Sequence, residues 1–176
     1  MRRRLFLAGV LFHAVVLLGW TLSLEAARAR AVTIRLSTLP VDPRDYLRGD
    51  YIWLRYRVSE LPRSAFKGPS PDNGDVGRTV YVALEPRGPV HEATAASLRR
   101  EALALAPGQH LLVGRLTYAA AGRNSGLLSV RYGIERYYVP EGKGTPPQRA
   151  LEAEVALTAD GRAFLTGLYV DGKPYP

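Results

Sequence analysis

The chain has no cysteine among its 176 residues, so disulfides and thiolate metal sites are excluded and an oxidising compartment poses no hazard to it. Lysine is scarce: Lys67, Lys143 and Lys173 stand against 21 arginines. Beyond Arg2, Arg3 and Arg4, the remaining 21 basic residues exceed the 16 acidic ones by only five, with no clustered basic run. That modest, dispersed excess suits an anionic lipid surface better than nucleic acid, and no nucleic-acid-binding module is spelled in the sequence. His91 and His110 lack ligand-like spacing and read as surface or satisfied residues. Asp42, Asp45 and Asp50 offer hard oxygen donors, but their spacing fits no EF-hand and no closing glutamate follows. No metal, cofactor or small-molecule ligand is therefore assigned.

What the chain does have is a 47% hydrophobic fraction, enough for one domain with a core. Its N-terminus carries an uncharged run from Leu5 to Leu24. At about 1.5 Å rise per residue this run matches a hydrocarbon core of about 30 Å. Arg2, Arg3 and Arg4 precede it, which favours a cytoplasmic N-terminus and an extracytoplasmic remainder. The rival reading is a cleaved signal peptide, with Ala27-Arg28-Ala29 or Ala29-Arg30-Ala31 as the site, although an ordinary h-region is only about 7–15 residues long. The expected division is 1–30 for tip, anchor and linker, and 31–176 for the outer domain. Within the anchor, His13 is a titratable group at mid-span, hence a site candidate able to hydrogen-bond a second transmembrane helix across Gly9, Gly19, Ala8 and Ala14.

Past the anchor, Val32, Ile34 and Leu36 alternate with polar residues at the strand period. Strand character returns over 51–58, 79–84 (ending at Pro86), 110–118, 127–139, 151–158 and 162–170, with a last stub after Asp171-Gly172. Turn formers fill 67–77, 120–126 and 142–147, and Asp160-Gly161 marks a tight reversal. Residues 91–105, rich in Ala, Leu, Arg and Glu without Gly or Pro, predict the single helix of the outer domain, with a loose loop as the alternative for the first half. The fold expected is mainly β, a small barrel or sandwich with one short helix behind a transmembrane helix.

The segment Gly49-Asp50-Tyr51-Ile52-Trp53-Leu54-Arg55-Tyr56 follows a proline-bounded acidic loop that begins at Pro40 and ends at Arg48. Its pattern resembles the signature of the GDYXXLXY family of bacterial membrane-anchored proteins. The stretch Gly133-Ile134-Glu135-Arg136-Tyr137-Tyr138-Val139-Pro140-Glu141-Gly142 is similar to that family's second common segment. The resemblance implies a membrane-anchored β domain without an established activity, often encoded beside multi-spanning membrane proteins, hence a partner in the same membrane.

The signature admits two readings. In one, Gly49 supplies a turn conformation and Asp50 caps amides, while Leu54 and Tyr56 share one strand face with Ile52 and Val58. In the other, Arg48, Asp50, Tyr51 and Tyr56 form a polar patch that touches a partner, for which aromatic and arginine side chains are good anchors. Glu135 and Arg136 sit in an otherwise apolar and aromatic stretch beside Tyr138. Burial of Glu135 or Arg136 without a partner is costly, so a cross-strand contact to Arg55, Arg57 or Asp50 is expected, or else a partner-facing role.

Asp50 with Glu135 or Glu141 could also serve glycoside hydrolysis if held at about 5–9.5 Å, but spacing in sequence does not set that gap. Arg48-Gly49-Asp50 spells an adhesion tripeptide that the longer motif explains better. Glu141-Gly142-Lys143-Gly144-Thr145 lacks the upstream glycine spacing and following helix of a phosphate loop. A likeness to signal peptidases around Pro40 lacks the nucleophilic serine and a convincing lysine base. The reading that follows is a non-catalytic accessory module docking on or regulating a multi-spanning membrane protein. The alternative is an extracytoplasmic hydrolase, or a carbohydrate or anion binder, using acidic and arginine residues.

Overall fold

Ile34 and Leu36 are buried while Thr33, Arg35 and Ser37 face outward or lie half-exposed, and this alternation builds the first strand, β1 (Val32–Leu39). The computed structural model describes residues 2–39, 51–119, 126–138 and 151–175. It divides into two compact units, residues 1–31 and 32–176.

In the second unit β1 is followed by β2 (Tyr51–Trp53), β3 (Arg55–Tyr56), β4 (Glu60–Pro62), β5 (Thr79–Arg87) and β6 (Val90–Ser97). Then come β7 (His110–Ala119), β8 (Leu127–Arg131), β9 (Arg136–Tyr138), β10 (Leu151–Leu157), β11 (Ala163–Val170) and β12 (Lys173–Tyr175). One sheet runs β12-β11-β10-β1-β3, a second runs β4-β8-β7-β5-β6, and β2 pairs with β9. The named strands pair antiparallel throughout.

Edge strand β6 lies against β1, so the sheets form a nearly closed, barrel-like wall. The Val113 amide also donates to the Gly161 carbonyl at 2.9 Å, which seats the β10–β11 turn on β7. Inside are Leu36, Tyr56, Val80, Val82, Leu84, Leu112, Val155 and Leu168, all fully buried. Each such apolar side chain contributes about 1.5–3 kcal/mol through the water it leaves.

The first unit is α1 (Arg2–Ala29), whose Arg2–Ala26 stretch has a mean hydropathy of 2.2. Its apolar side chains, Leu5 through Leu24, are exposed around the helix. Three polar side chains in this run bond to the helix's own backbone. The His13 Nδ1–H donates to the Gly9 carbonyl at 2.8 Å, the Thr21 hydroxyl to Leu17 at 2.9 Å and the Ser23 hydroxyl to Trp20 at 2.7 Å.

The helix expected over 91–105 is not formed. Residues 90–97 are β6 instead, followed by one 3-10 turn over Arg100–Ala102. The ladder of β5 decides this: a turn at Gly88 (φ +63°) sends the chain back alongside β5, and Ala96 packs fully buried. Strand β5 also runs through Pro86 to Arg87 rather than stopping at the proline. The turn at Asp160-Gly161 is present, with Gly161 at φ +88° and the Thr158 amide bonded to the Arg162 carbonyl at 2.9 Å. The expected loops at 142–147 and around 40–48 lie outside the described residues.

Candidate functional site

The segment 51–56 changes partner halfway along its length. Residues 51–53 pair with β9, Tyr51 to Tyr138, Ile52 to Tyr137 and Trp53 to Arg136. The Leu54 amide then donates to the Glu135 carbonyl at 2.6 Å, and β3 crosses to β1 with Arg55 opposite Leu39 and Tyr56 opposite Thr38. Ile52, Leu54 and Tyr56 keep one inward face across this break, as their period of two requires.

Three side chains lock the junction. The Tyr56 hydroxyl donates to the Ile134 carbonyl at 2.6 Å, and the Tyr132 hydroxyl donates to the Val58 carbonyl at 2.6 Å. Glu135 is buried, and its carboxylate accepts the amides of Tyr132 at 2.6 Å and Gly133 at 2.9 Å, closing a turn in which Gly133 holds φ +83°. Burial, and secondarily the nearby Glu135 charge, push both phenols well above the ordinary tyrosine range. The two diagnostic stretches thus form one hydrogen-bonded clamp, in which Tyr56 and Glu135 are structural.

The ion pair expected between Glu135 and Arg55 or Arg57 is not made. Arg55 bonds Glu60, and Glu135 is satisfied by backbone amides, which supply two donors at fixed geometry without burying a second charge. Arg48, Gly49 and Asp50 lie outside the described residues. Leu54 is core, Tyr138 is exposed, and Arg136 is exposed with its guanidinium 5.5 Å from the Trp53 ring centre. His13 belongs to α1, the separate first unit.

Two groupings escaped the sequence reading. His91 and His110, 19 positions apart and read as isolated, have ring centres 5.6 Å apart because both flank the end of β5. Burial, followed by the neighbouring His110, lowers the His91 pKa against a weaker opposing contact with the Arg35 backbone. On the outer face, Arg115 of β7 stands directly opposite Arg131 of β8, and Arg131 also lies 5.5 Å from the Trp53 ring centre. Only the β7–β8 register reveals that meeting, and the expected hairpin connection at 120–126 lies almost wholly outside the described residues.

Fold and site together define a helix-led β protein whose shared motif residues hold two segments of the wall together. The sequence profile of the GDYXXLXY protein family matches residues 13–168, and the chain belongs to that family. No curated protein and no solved structure gives a match.

Proposed function

We propose that the chain is a non-catalytic accessory module anchored in the bacterial cytoplasmic membrane by α1, N-terminus inside. Its β domain sits at the outer face and docks on or regulates a multi-spanning membrane protein. The observation that carries this is the self-sufficiency of α1. His13, Thr21 and Ser23 return their hydrogen bonds to their own helix, which leaves a rod suited to hydrocarbon, where an unmade hydrogen bond costs several kcal/mol. The arginines before the run support the orientation. The non-catalytic reading draws on the clamp: Tyr56 and Glu135, the polar motif groups best placed to attract a chemical role, are committed to backbone partners.

Purification of the full chain from its own membranes in a mild neutral detergent, followed by mass spectrometry, tests the proposal. A multi-spanning protein is expected at near-stoichiometric yield. Recovery of the chain alone, or of a shortened soluble product, overturns it.

A further inference from the structure

We propose that the outer face of the β7–β8 hairpin is a binding site for an organic phosphate, a phosphate group carried on an apolar body. This is independent of the docking reading. Like charges placed directly opposite across an antiparallel ladder destabilise it, yet Arg115 and Arg131 occupy such a pair. Neither makes an ion pair among the described residues.

The carboxylates that line the neighbouring hollows are occupied elsewhere. Asp75 holds Arg78 and the cap of a 3-10 turn, Glu60 holds Arg55, and Glu135 faces inward onto two amides. Arg115 Nη1 donates to the Gly77 carbonyl at 3.4 Å, a neutral partner, so among the described residues the positive charge of the pair is left for a ligand. Guanidinium forks match phosphate oxygens two at a time, and two of them balance a dianion.

The pair lines a hollow of about 620 Å³ together with Val76, Thr79, Val113 and Thr117. That volume falls in the range of small-molecule sites, and apolar residues such as Val76 and Val113 beside a few convergent polar groups are their usual composition. Arg131 and Thr117 continue into an adjoining hollow of about 160 Å³ that contains Trp53. Arg131 is already held over the Trp53 face, so less side-chain freedom is lost when it engages the ligand.

Isothermal titration of the full chain in neutral detergent micelles with phenyl phosphate, inorganic phosphate and phenyl glucoside tests the site. Saturable binding is expected in the order phenyl phosphate, then inorganic phosphate, with none for the glucoside. Arg115→Gln and Arg131→Gln should each weaken phenyl phosphate by roughly ten- to hundredfold. Arg87→Gln, on a different strand and paired with Glu85, should leave it unchanged. Thermal melts establish that the variants are folded.

A second arm compares nanodiscs of phosphatidylcholine with and without phosphatidic acid. Loss of phenyl phosphate binding in the acidic discs identifies a lipid headgroup as the source of the phosphate, and retention identifies a soluble phosphomonoester. Absence of saturable binding to phenyl phosphate, or equal binding by a folded Arg115→Gln/Arg131→Gln double variant, overturns the proposal.

Discussion

Tyr56 shows how a motif residue is constrained by the fold around it. Its ring is part of the core and its hydroxyl satisfies the Ile134 carbonyl, so both its apolar and polar halves are required. Tyr56→Phe keeps the packing and removes the donor, and should cost about 1–2 kcal/mol in denaturant unfolding at neutral pH. The same substitution has a pH signature. With its pKa raised above the ordinary 10.0, the folded phenol keeps a proton that the unfolded chain releases, so stability is complete below about pH 10 and declines as pH rises beyond it. Tyr56→Phe should make that alkaline decline shallower, as read by unfolding midpoints between neutral pH and pH values above 10; an unchanged slope would contradict the burial argument. That Tyr56 shares a strand face with Ile52 and Leu54 was legible from their alternation; that the face is buried was not. Its acceptor, 78 positions away, was not.

At the scale of elements, local preference and tertiary demand diverge at β6. Alanine, leucine and glutamate favour a helix by only a few tenths of a kcal/mol each. Completing the β5 ladder contributes about 0.5–1.5 kcal/mol per hydrogen bond, which exceeds that preference, so the strand prevails. The β7–β8 hairpin shows the converse, a position dictated by close approach. A Cβ at Gly114 would come within 2.6 Å of Val130 Cγ1, 2.7 Å of Tyr132 Cδ1 and 2.8 Å of the Arg131 carbonyl oxygen. Gly114→Ala should therefore destabilise the domain by about 1–3 kcal/mol, visible as a lowered melting temperature. An unchanged melt would mean the strand can move aside freely. The sequence displays Gly114 in a strand-like run but cannot display the β8 neighbours that exclude a side chain there.

For the whole molecule, closure of the wall is the decisive feature, and His91 sits at its seam. It extends from β6 toward the Arg35 backbone of β1, with His110 of β7 beside it. Its folded-state pKa lies below the ordinary 6.5, so between the two values the unfolded chain binds more protons than the folded one. Stability is then full above about pH 6.5 and falls as pH drops below it. Thermal melts from neutral pH into the acid range should show that fall, and His91→Gln should flatten it. A His91→Gln profile superimposing on the parent's would remove the seam from the account. Closure also explains why neither histidine stood out in the linear sequence, since only the pairing of β6 and β7 on either side of β5 brings their rings together.

By itself, the sequence determined the apolar N-terminal helix, the β character of the domain, most strand positions and the family, because these rest on composition, short-range period and contiguous motifs. Tertiary structure alone decided that 90–97 is a strand, that Glu135 binds amides rather than an arginine, and that Arg115 meets Arg131. Each of those outcomes depends on which ladder edge or polar group is left without water once the sheets close. That is a property of residues far apart in the chain, carried by register and burial rather than by any local pattern.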